Sequence, residues 1–399
     1  MQAQPLSTTD HHPELVAQIH QAIAAHPDQR IPFAEYMNLA LYHPHHGYYA
    51  SNRAKIGAGG DFFTSPHLGQ DFGELLAEQL AECWERLQHP KPFNLIEMGA
   101  GQGLLVQDIA RYLHRHHYSC FEAIAYTIVE TSPGHVAEQR RYLKSLVDSW
   151  GQISWRTLEE ILPDSIEGCW FSNELVDAFP VHQVVWQGGE LREIYVTTAE
   201  DGQGFTEVVG ELSTPQLATY FEQVGIDLSA LAYAEGYRTE VNLAALDWLA
   251  QVSDRLHRGY ILTIDYGYTA ERYYTPGRRE GTLQCYYQHA HHSNPYLNIG
   301  RQDITAHVDF TALQRQGDRL GLQTVGFTQQ GLFLMALGLG DRIAALSHLE
   351  PGDLSLSDIL RRREALHALI NPMGLGNFGV LIQSKGLENS QPLRGLSLP

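Results

Sequence analysis

A short apolar run, Phe93 to Ile96, leads into an acid, Glu97, and then into glycine at every second position: Gly99, Gly101 and Gly103. Helical spacing follows at once, with Leu104, Leu105, Ile109, Tyr112 and Leu113. Strand, glycine loop and helix in this order commit a chain to an open α/β sheet with a nucleoside pocket at its strand ends. Glycine tolerates positive φ and lets a ligand lie close against the backbone.

Two details separate this loop from a dinucleotide site. The last small residue of a dinucleotide fingerprint would fall at Leu104, and Glu97 would set an anion beside a pyrophosphate. A carboxylate at a strand tip suits a cationic ligand. S-adenosylmethionine (SAM) carries a sulfonium and an ammonium and has no phosphate. The loop therefore reads as a SAM site, with Glu97, Gly99, Gly101 and Gly103 as its residues.

Strand and helix patterns alternate around this loop, which predicts a doubly wound, mostly parallel α/β sheet. Strands are expected at 93–98, 123–130, 153–155, 168–172, 259–265, 322–328 and 378–384. Helices are expected at 103–115, 134–147 and 309–320. Residues 1–90 carry helix candidates at 13–25, 31–41 and 68–87 and read as a helical N-terminal cap with a cofactor lid. The first part of the sheet domain then spans 91–182. An insertion, 183–255, begins as a hairpin around Gly188-Gly189 and continues in helices. The rest of the sheet domain, 256–385, contains a long polar and aromatic loop at 266–308 and a helical segment at 332–369. Residues 386–399 form a tail.

Bulk properties exclude several functions. The formal net charge of −19 opposes electrostatic binding to nucleic acid or to an anionic membrane. Four cysteines, Cys83, Cys120, Cys169 and Cys285, show neither zinc spacing nor a disulfide framework. The longest apolar stretch, Leu332 to Leu339, is too short to span a bilayer. Met1 to Pro13 lacks a basic region followed by an apolar run. The expected location is therefore cytoplasmic. The histidine groups at 43–46, 114–117 and 289–292 do not combine with cysteine at metal spacing, so no metal is expected.

In an open parallel sheet the ligand lies at the carboxyl ends of the strands. The second strand ends in Glu130, an acid able to accept both hydroxyls of a ribose. The fourth leads into Ser172-Asn173-Glu174-Leu175-Val176-Asp177. Carboxylates there could orient a guanidinium or amide nitrogen in line with a methyl sulfonium and accept its proton. Glu174 and Asp177, three apart, would share one face of a helical turn, or would serve simply as caps of a helix start. The fifth strand ends at Asp265. The long loop then delivers His307, either a base or positioning group, or a helix-start residue before an Asp309 cap. Arg238, Glu240 and Asn242 are weaker candidates for a pocket wall.

The chain resembles the MidA family of SAM-dependent methyltransferases over roughly residues 30–385. The resemblance rests on ordered blocks: Phe33-Ala-Glu-Tyr-Met37, Tyr42-His-Pro44 with Gly47-Tyr-Tyr49, Gly60-Asp-Phe-Phe-Thr-Ser-Pro66 with Phe72-Gly-Glu74, and Glu97 to Gly103. It continues in Asn173-Glu174 with Asp177-Ala-Phe-Pro180, Asp265-Tyr-Gly267, Gly281-Thr-Leu283 and Asp303 to Phe310. His67 and Phe179 depart from the family pattern, away from the expected chemistry. The resemblance implies a seven-stranded class I methyltransferase sheet with inserted substrate-binding segments. It also implies arginine of a protein substrate as acceptor, on a core subunit of a complex I-type NAD(P)H:quinone oxidoreductase during assembly. It leaves a homodimer open.

On this reading Glu130 holds the ribose, with Asn173 beside the cofactor, and Asp61, Thr64 and Ser65 close over it. Glu174 and Asp177 orient the guanidinium, with His307 nearby. Two alternatives compete: a non-catalytic assembly factor that binds a client subunit, and a small-molecule O- or N-methyltransferase.

Overall fold

The computed structural model describes residues 10–50, 64–230, 232–288, 290–348, 355–387 and 392–397. Asp61, expected in the lid, lies outside the described residues. The chain forms two compact units, each made of discontinuous segments.

The first unit comprises Phe63–Leu175, Trp248–Gly267 and Leu313–Pro399. Its sheet has seven strands: β1 (Phe93–Met98), β2 (Ile124–Val129), β3 (Ile153–Arg156), β4 (Ile166–Asn173), β5 (Leu256–Asp265), β6 (Gln323–Gln329) and β7 (Gly379–Lys385). Their order across the sheet is β6-β7-β5-β4-β1-β2-β3. Pairings β1–β2, β1–β4, β2–β3 and β4–β5 are parallel. β7 alone runs antiparallel to its neighbours, β5 and β6. The order reverses between β1 and β4, and a crevice at such a reversal is where α/β sheets bind ligands. The central strands are apolar without alternation, as strands covered on both faces must be. The core joins Phe72, Leu76 and Leu80 of helix Asp71–Arg86 to Leu95, Ile109, Phe171 and Leu262.

The helix expected over 134–147 is two helices, Pro133–Tyr142 and Lys144–Trp150, parted at buried Leu143. The first begins at Ser132, whose side chain accepts from the His135 amide, with Pro133 behind it. The segment around 332–369 is helical in three pieces: Gln330–Ala336, Leu339–Ala345 and Leu356–Ile370.

The second unit comprises Met1–Phe62, Val176–Asp247 and Tyr268–Ala312. Its main sheet is antiparallel. The strands are Ile31–Pro32, Glu190–Thr198, His182–Gln187 and Tyr237–Val241 in that order, with Phe205–Gly210 also paired to Glu190–Thr198. The hairpin turn at Gly188-Gly189 is as expected. Both glycines have positive φ, 63° and 78°, which a tight two-residue turn requires. The strands Phe205–Gly210 and Tyr237–Val241 correct the expectation of helices alone after the hairpin. Neither is apolar enough to announce itself: the second buries Thr239 and Glu240.

The long loop 266–308 is likewise not free of structure. It holds a small sheet of Gln284–Tyr287, Ala290–His292 and Asp303–Thr305. These strands are three or four residues long and polar, too short for alternation to register. The expected N-terminal block 1–90 is also divided otherwise. Helices Pro13–Ala25 and Phe33–Tyr42 bury Leu15, Ile19, Phe33 and Met37 against Val181, Val196, Leu283 and Ile304. Helix Asp71–Arg86 belongs to the parallel-sheet unit. The reason is strand pairing across distance: Ile31 and Pro32 pair with Val196 and Tyr195. Among the described residues no helix is long and apolar enough to cross a membrane.

Candidate functional site

The parallel-sheet unit gathers the expected cofactor residues, Asp61 apart, along one edge. β1 ends at Met98, and Gly99, Gly101 and Gly103 follow with φ of 80°, 52° and 85°. All three sit in the left-handed region that favours glycine. A Cβ on Gly99 would come within 3.1 Å of Leu175, so the turn is packed as well as bent. Gly103 starts helix Leu104–His116, whose buried face is Leu105, Val106, Ile109, Ala110 and Leu113.

Glu97 is buried, and the Tyr126 hydroxyl donates to its Oε2 at 2.6 Å. Burial raises its pKa to about 7, and the tyrosine bond offsets part of that rise. A buried carboxyl poised near neutrality ionises readily when a cation arrives beside it.

Glu130 follows β2. Its Oε1 accepts the amides of Thr131 and Ser132, both at 2.9 Å. Its Oε2 lies 3.4 Å from both Gln139 Nε2 and His135 Nδ1. Burial pushes its pKa up, but these bonds outweigh burial and the net shift is downward. The same bond to Glu130 raises His135. Glu130 is therefore an anion at neutral pH, with Oε1 held by its own turn and Oε2 faced by Gln139 and His135. A fixed carboxylate is what bidentate binding of a diol needs.

β4 ends at Asn173, whose Nδ2 donates to Glu174 Oε1 at 3.0 Å. The Ser65 amide donates to the same oxygen at 3.3 Å, and the Ser65 hydroxyl to Gln330 Oε1 at 3.3 Å. Thr64 Oγ1 lies 2.6 Å from His67 Nδ1. The structure thus brings Thr64, Ser65, Asn173 and Glu174 together. Glu174 has φ of 52°, strained for a residue with a side chain. Only a three-residue 3-10 turn, Val176–Ala178, follows it. The expected shared helical face of Glu174 and Asp177 is therefore corrected: no α-helix starts there.

The asparagine also supports a fit to the cofactor. Asn173 Oδ1 is buried without a hydrogen-bond partner among the described residues, and so is Ser172 Oγ. Unmet acceptors beside three left-handed glycines suit a ligand that brings N–H donors, as the ammonium of SAM does. Asp265, at the end of β5, accepts from the amides of Leu175 (3.2 Å) and Tyr266 (2.9 Å). It braces this edge.

In the second unit Asp177 is buried, and its carbonyl accepts the Ala306 amide at 2.9 Å. That bond ties Asp177 to the segment carrying His307. Tyr42 donates to the Ala178 carbonyl at 2.8 Å and stacks on Tyr49, which donates to Asp303 at 2.9 Å. The His307 amide donates to Thr282 Oγ1 at 3.1 Å. Burial, helped by Arg278, lowers the His307 pKa to about 4, so the ring is neutral at pH 7.

Behind His307 lies a buried polar nest. Glu240 accepts from the Thr282 amide (2.9 Å) and hydroxyl (3.0 Å), from Tyr273 (3.2 Å) and from the Leu283 amide (3.3 Å). Asp309 does cap the helix Phe310–Arg319, accepting from Thr311 and Ala312, and burial raises its pKa to about 7. Arg238 is paired with Glu207 at 2.6 Å, and Asn242 caps its helix through the Ala245 amide. These two have structural partners. Among the described residues no group of three or more His, Cys, Asp or Glu is placed to hold a metal ion.

Sequence reasoning missed Tyr126 and Gln139. Tyr126 sits three residues before the strand tip, where it reads as one more apolar strand residue. Gln139 lies nine residues beyond Glu130, the buried position of an otherwise exposed helix.

Comparison with known proteins bears on this geometry. Residues 75–328 match the profile of a family described as "Putative S-adenosyl-L-methionine-dependent methyltransferase". A Drosophila melanogaster mitochondrial protein named protein arginine methyltransferase NDUFAF7 homolog is 30% identical over 77% of this chain and 71% of its own. The Rattus norvegicus mitochondrial protein arginine methyltransferase NDUFAF7 is 28% identical over 87% and 79%. A Burkholderia thailandensis crystal structure with bound S-adenosyl-homocysteine superposes with a TM-score of 0.84 at 31% identity, covering 96% of this chain and 94% of that one.

Proposed function

Because the chain belongs to the MidA family of SAM-dependent methyltransferases, and is therefore an enzyme that uses SAM, we propose that its acceptor is a protein arginine. The family resemblance extends the proposal to a core subunit of a complex I-type NAD(P)H:quinone oxidoreductase, methylated during assembly. The observation that carries the arginine reading is Glu174. It is a carboxylate held at positive φ, with Oε1 fixed by Ser65 and Asn173. Strain of this kind persists where the surroundings over-determine it, and a fixed carboxylate aligns a guanidinium. The naming of relatives as protein arginine methyltransferases supports the same acceptor.

SAM, when bound, supplies a methyl group on a sulfonium, open to in-line attack. In this proposal Gly99, Gly101 and Gly103 let its methionine end lie against the backbone, with Glu97 facing positive charge. Glu130 accepts the ribose hydroxyls, and Asn173 Oδ1 accepts an N–H of the ammonium. Thr64 and Ser65, with Asp61, exclude water over the cofactor. Glu174 and Asp177 orient the guanidinium. The guanidinium arrives protonated, since its free pKa exceeds about 12, and a carboxylate must take the proton as the nitrogen is methylated. His307, held neutral, accepts or donates a hydrogen bond to the acceptor and does not serve as the main base. The inserted segments bind the acceptor, and the enzyme works in the cytoplasm.

Mass spectrometry of complex I-type subunits from cells with and without this protein tests the acceptor. The expected result is one methylated arginine that disappears with the protein. Loss of methylation on a small metabolite instead, with all subunits unchanged, would replace the arginine reading. Fractionation of the native cells tests the location: recovery in the membrane pellet or an organelle would contradict it.

A further inference from the structure

The helix Pro133–Tyr142 buries one residue, and that residue is polar: Gln139, with no exposed surface. A buried amide is costly unless its donors and acceptor are all met. All are met here. Gln139 Nε2 donates to the Gly101 carbonyl at 2.9 Å and lies 3.4 Å from Glu130 Oε2. Gln139 Oε1 accepts from Trp155 Nε1 at 2.9 Å. An indole N–H can only donate, so the amide has one orientation: oxygen to Trp155, nitrogen to the other two. One side chain therefore links the glycine loop after β1, the acid after β2 and the tryptophan in β3.

We propose that Gln139 is the positioning residue of the cofactor site, setting the Glu130 carboxylate against the glycine loop so that both ends of the nucleoside are met at once. The inference rests on Glu130 as the ribose acid. The geometry favours a positioning role over simple packing. Leucine would fill the space of a buried helix residue without any bond to satisfy. The amide holds two elements whose spacing a nucleoside must match, and rigid support of this kind sets how well the contacting groups bind. Oε1 of Glu130 is already held by two backbone amides. Rotation of Oε2 is what remains to be fixed, and Gln139 and His135 face it.

The test uses calorimetric binding of S-adenosyl-homocysteine and of its 2′,3′-dideoxy analogue to the full chain. The variants are Gln139→Leu, Gln139→Glu and Glu130→Ala. Gln139→Leu should weaken S-adenosyl-homocysteine about tenfold, the range for losing one bond to a charged group. It should weaken the dideoxy analogue by less than about threefold, because that ligand has no diol to align. Gln139→Glu, nearly isosteric, should be at least as damaging, since it sets an oxygen against the Gly101 carbonyl and Glu130. It keeps the test open if the leucine variant fails to fold. Equal weakening of both ligands would mean that Gln139 only packs, and overturns the proposal. So does unchanged binding of S-adenosyl-homocysteine in both Gln139 variants while Glu130→Ala loses it. If Glu130→Ala binds S-adenosyl-homocysteine as the wild type does, the ribose reading fails and the Gln139 proposal falls with it.

Discussion

The two units differ in how they are built. The parallel-sheet unit places its polar groups at strand ends, one tip after another: Glu97, Glu130, Asn173 and Asp265. Its core cluster is apolar, and the polar groups proposed for the cofactor lie at these tips. The antiparallel unit instead buries polar groups in its interior, where Glu240, Asp309, Tyr220 and Tyr273 satisfy one another. Both units are made of three stretches of chain, but this one is held by long-range bonds such as Ala306 to Asp177. One unit is a repeated device whose site follows from topology. The other is a specific polar assembly.

This contrast can be broken most sharply in the glycine loop. Gly101→Val forces a β-branched residue into φ of 52° beside the carbonyl that Gln139 holds. It should cost SAM at least about a hundredfold in affinity by calorimetry, with the fold retained. Retained affinity would mean that the loop is only a turn.

The reverse experiment is Glu240→Ala. Four donors would lose their acceptor, and chemical denaturation should show a loss of about 3 kcal/mol, the upper range for buried groups left unmet. SAM affinity should change little, because the proposed cofactor residues other than Asp61 belong to the other unit. A large loss of SAM binding without loss of stability would erase the division of labour.

A smaller effect is expected from pH. The Glu97 pKa is raised to about 7 by burial. Raising pH from the unfolded value near 4.5 through 7 therefore removes stability, since the unfolded chain sheds the proton first. If a cation of SAM faces Glu97, affinity should rise roughly fivefold between pH 6 and 7, because binding expels that proton. Glu97→Gln should flatten both profiles, and pH-independent binding in the wild type would remove Glu97 from the cofactor.

The smallest change is expected for His307→Gln. The ring is already neutral at pH 7, with its pKa lowered to about 4. Turnover should fall less than about tenfold, with no altered profile between pH 6 and 8. A lost acid limb in that range would make His307 the base.

Legibility in the sequence follows the same division. β1 was readable to the residue because an apolar run, an acid and three glycines are local signals. Glu130 and Asn173 followed, since parallel topology places successive tips on one edge. The strand Tyr237–Val241 was not readable: its buried Thr239 and Glu240 look like surface residues until Thr282 and Tyr273 arrive at Glu240 from elsewhere in the chain. Gly281 shows why. A Cβ there would clash with Glu240 Oε1, a constraint carried across some forty residues. The division of the first ninety residues between units was hidden for the same reason, because the pairing of Ile31 with Val196 leaves no local trace. The positive φ of Glu174 was equally invisible, and it replaced an expected helical face with a strained turn.

The central claim is that this SAM-dependent enzyme methylates arginine through a carboxylate fixed at the end of β4. Single-turnover transfer from methyl-labelled SAM to the purified complex I-type core subunit, by wild type and by Glu174→Gln at saturating SAM, tests it most directly. The account predicts labelled methylarginine with the wild type. With the variant it predicts a rate at least about a hundredfold lower at unchanged SAM affinity. Equal rates for the two proteins, or label on any residue other than arginine, would contradict it.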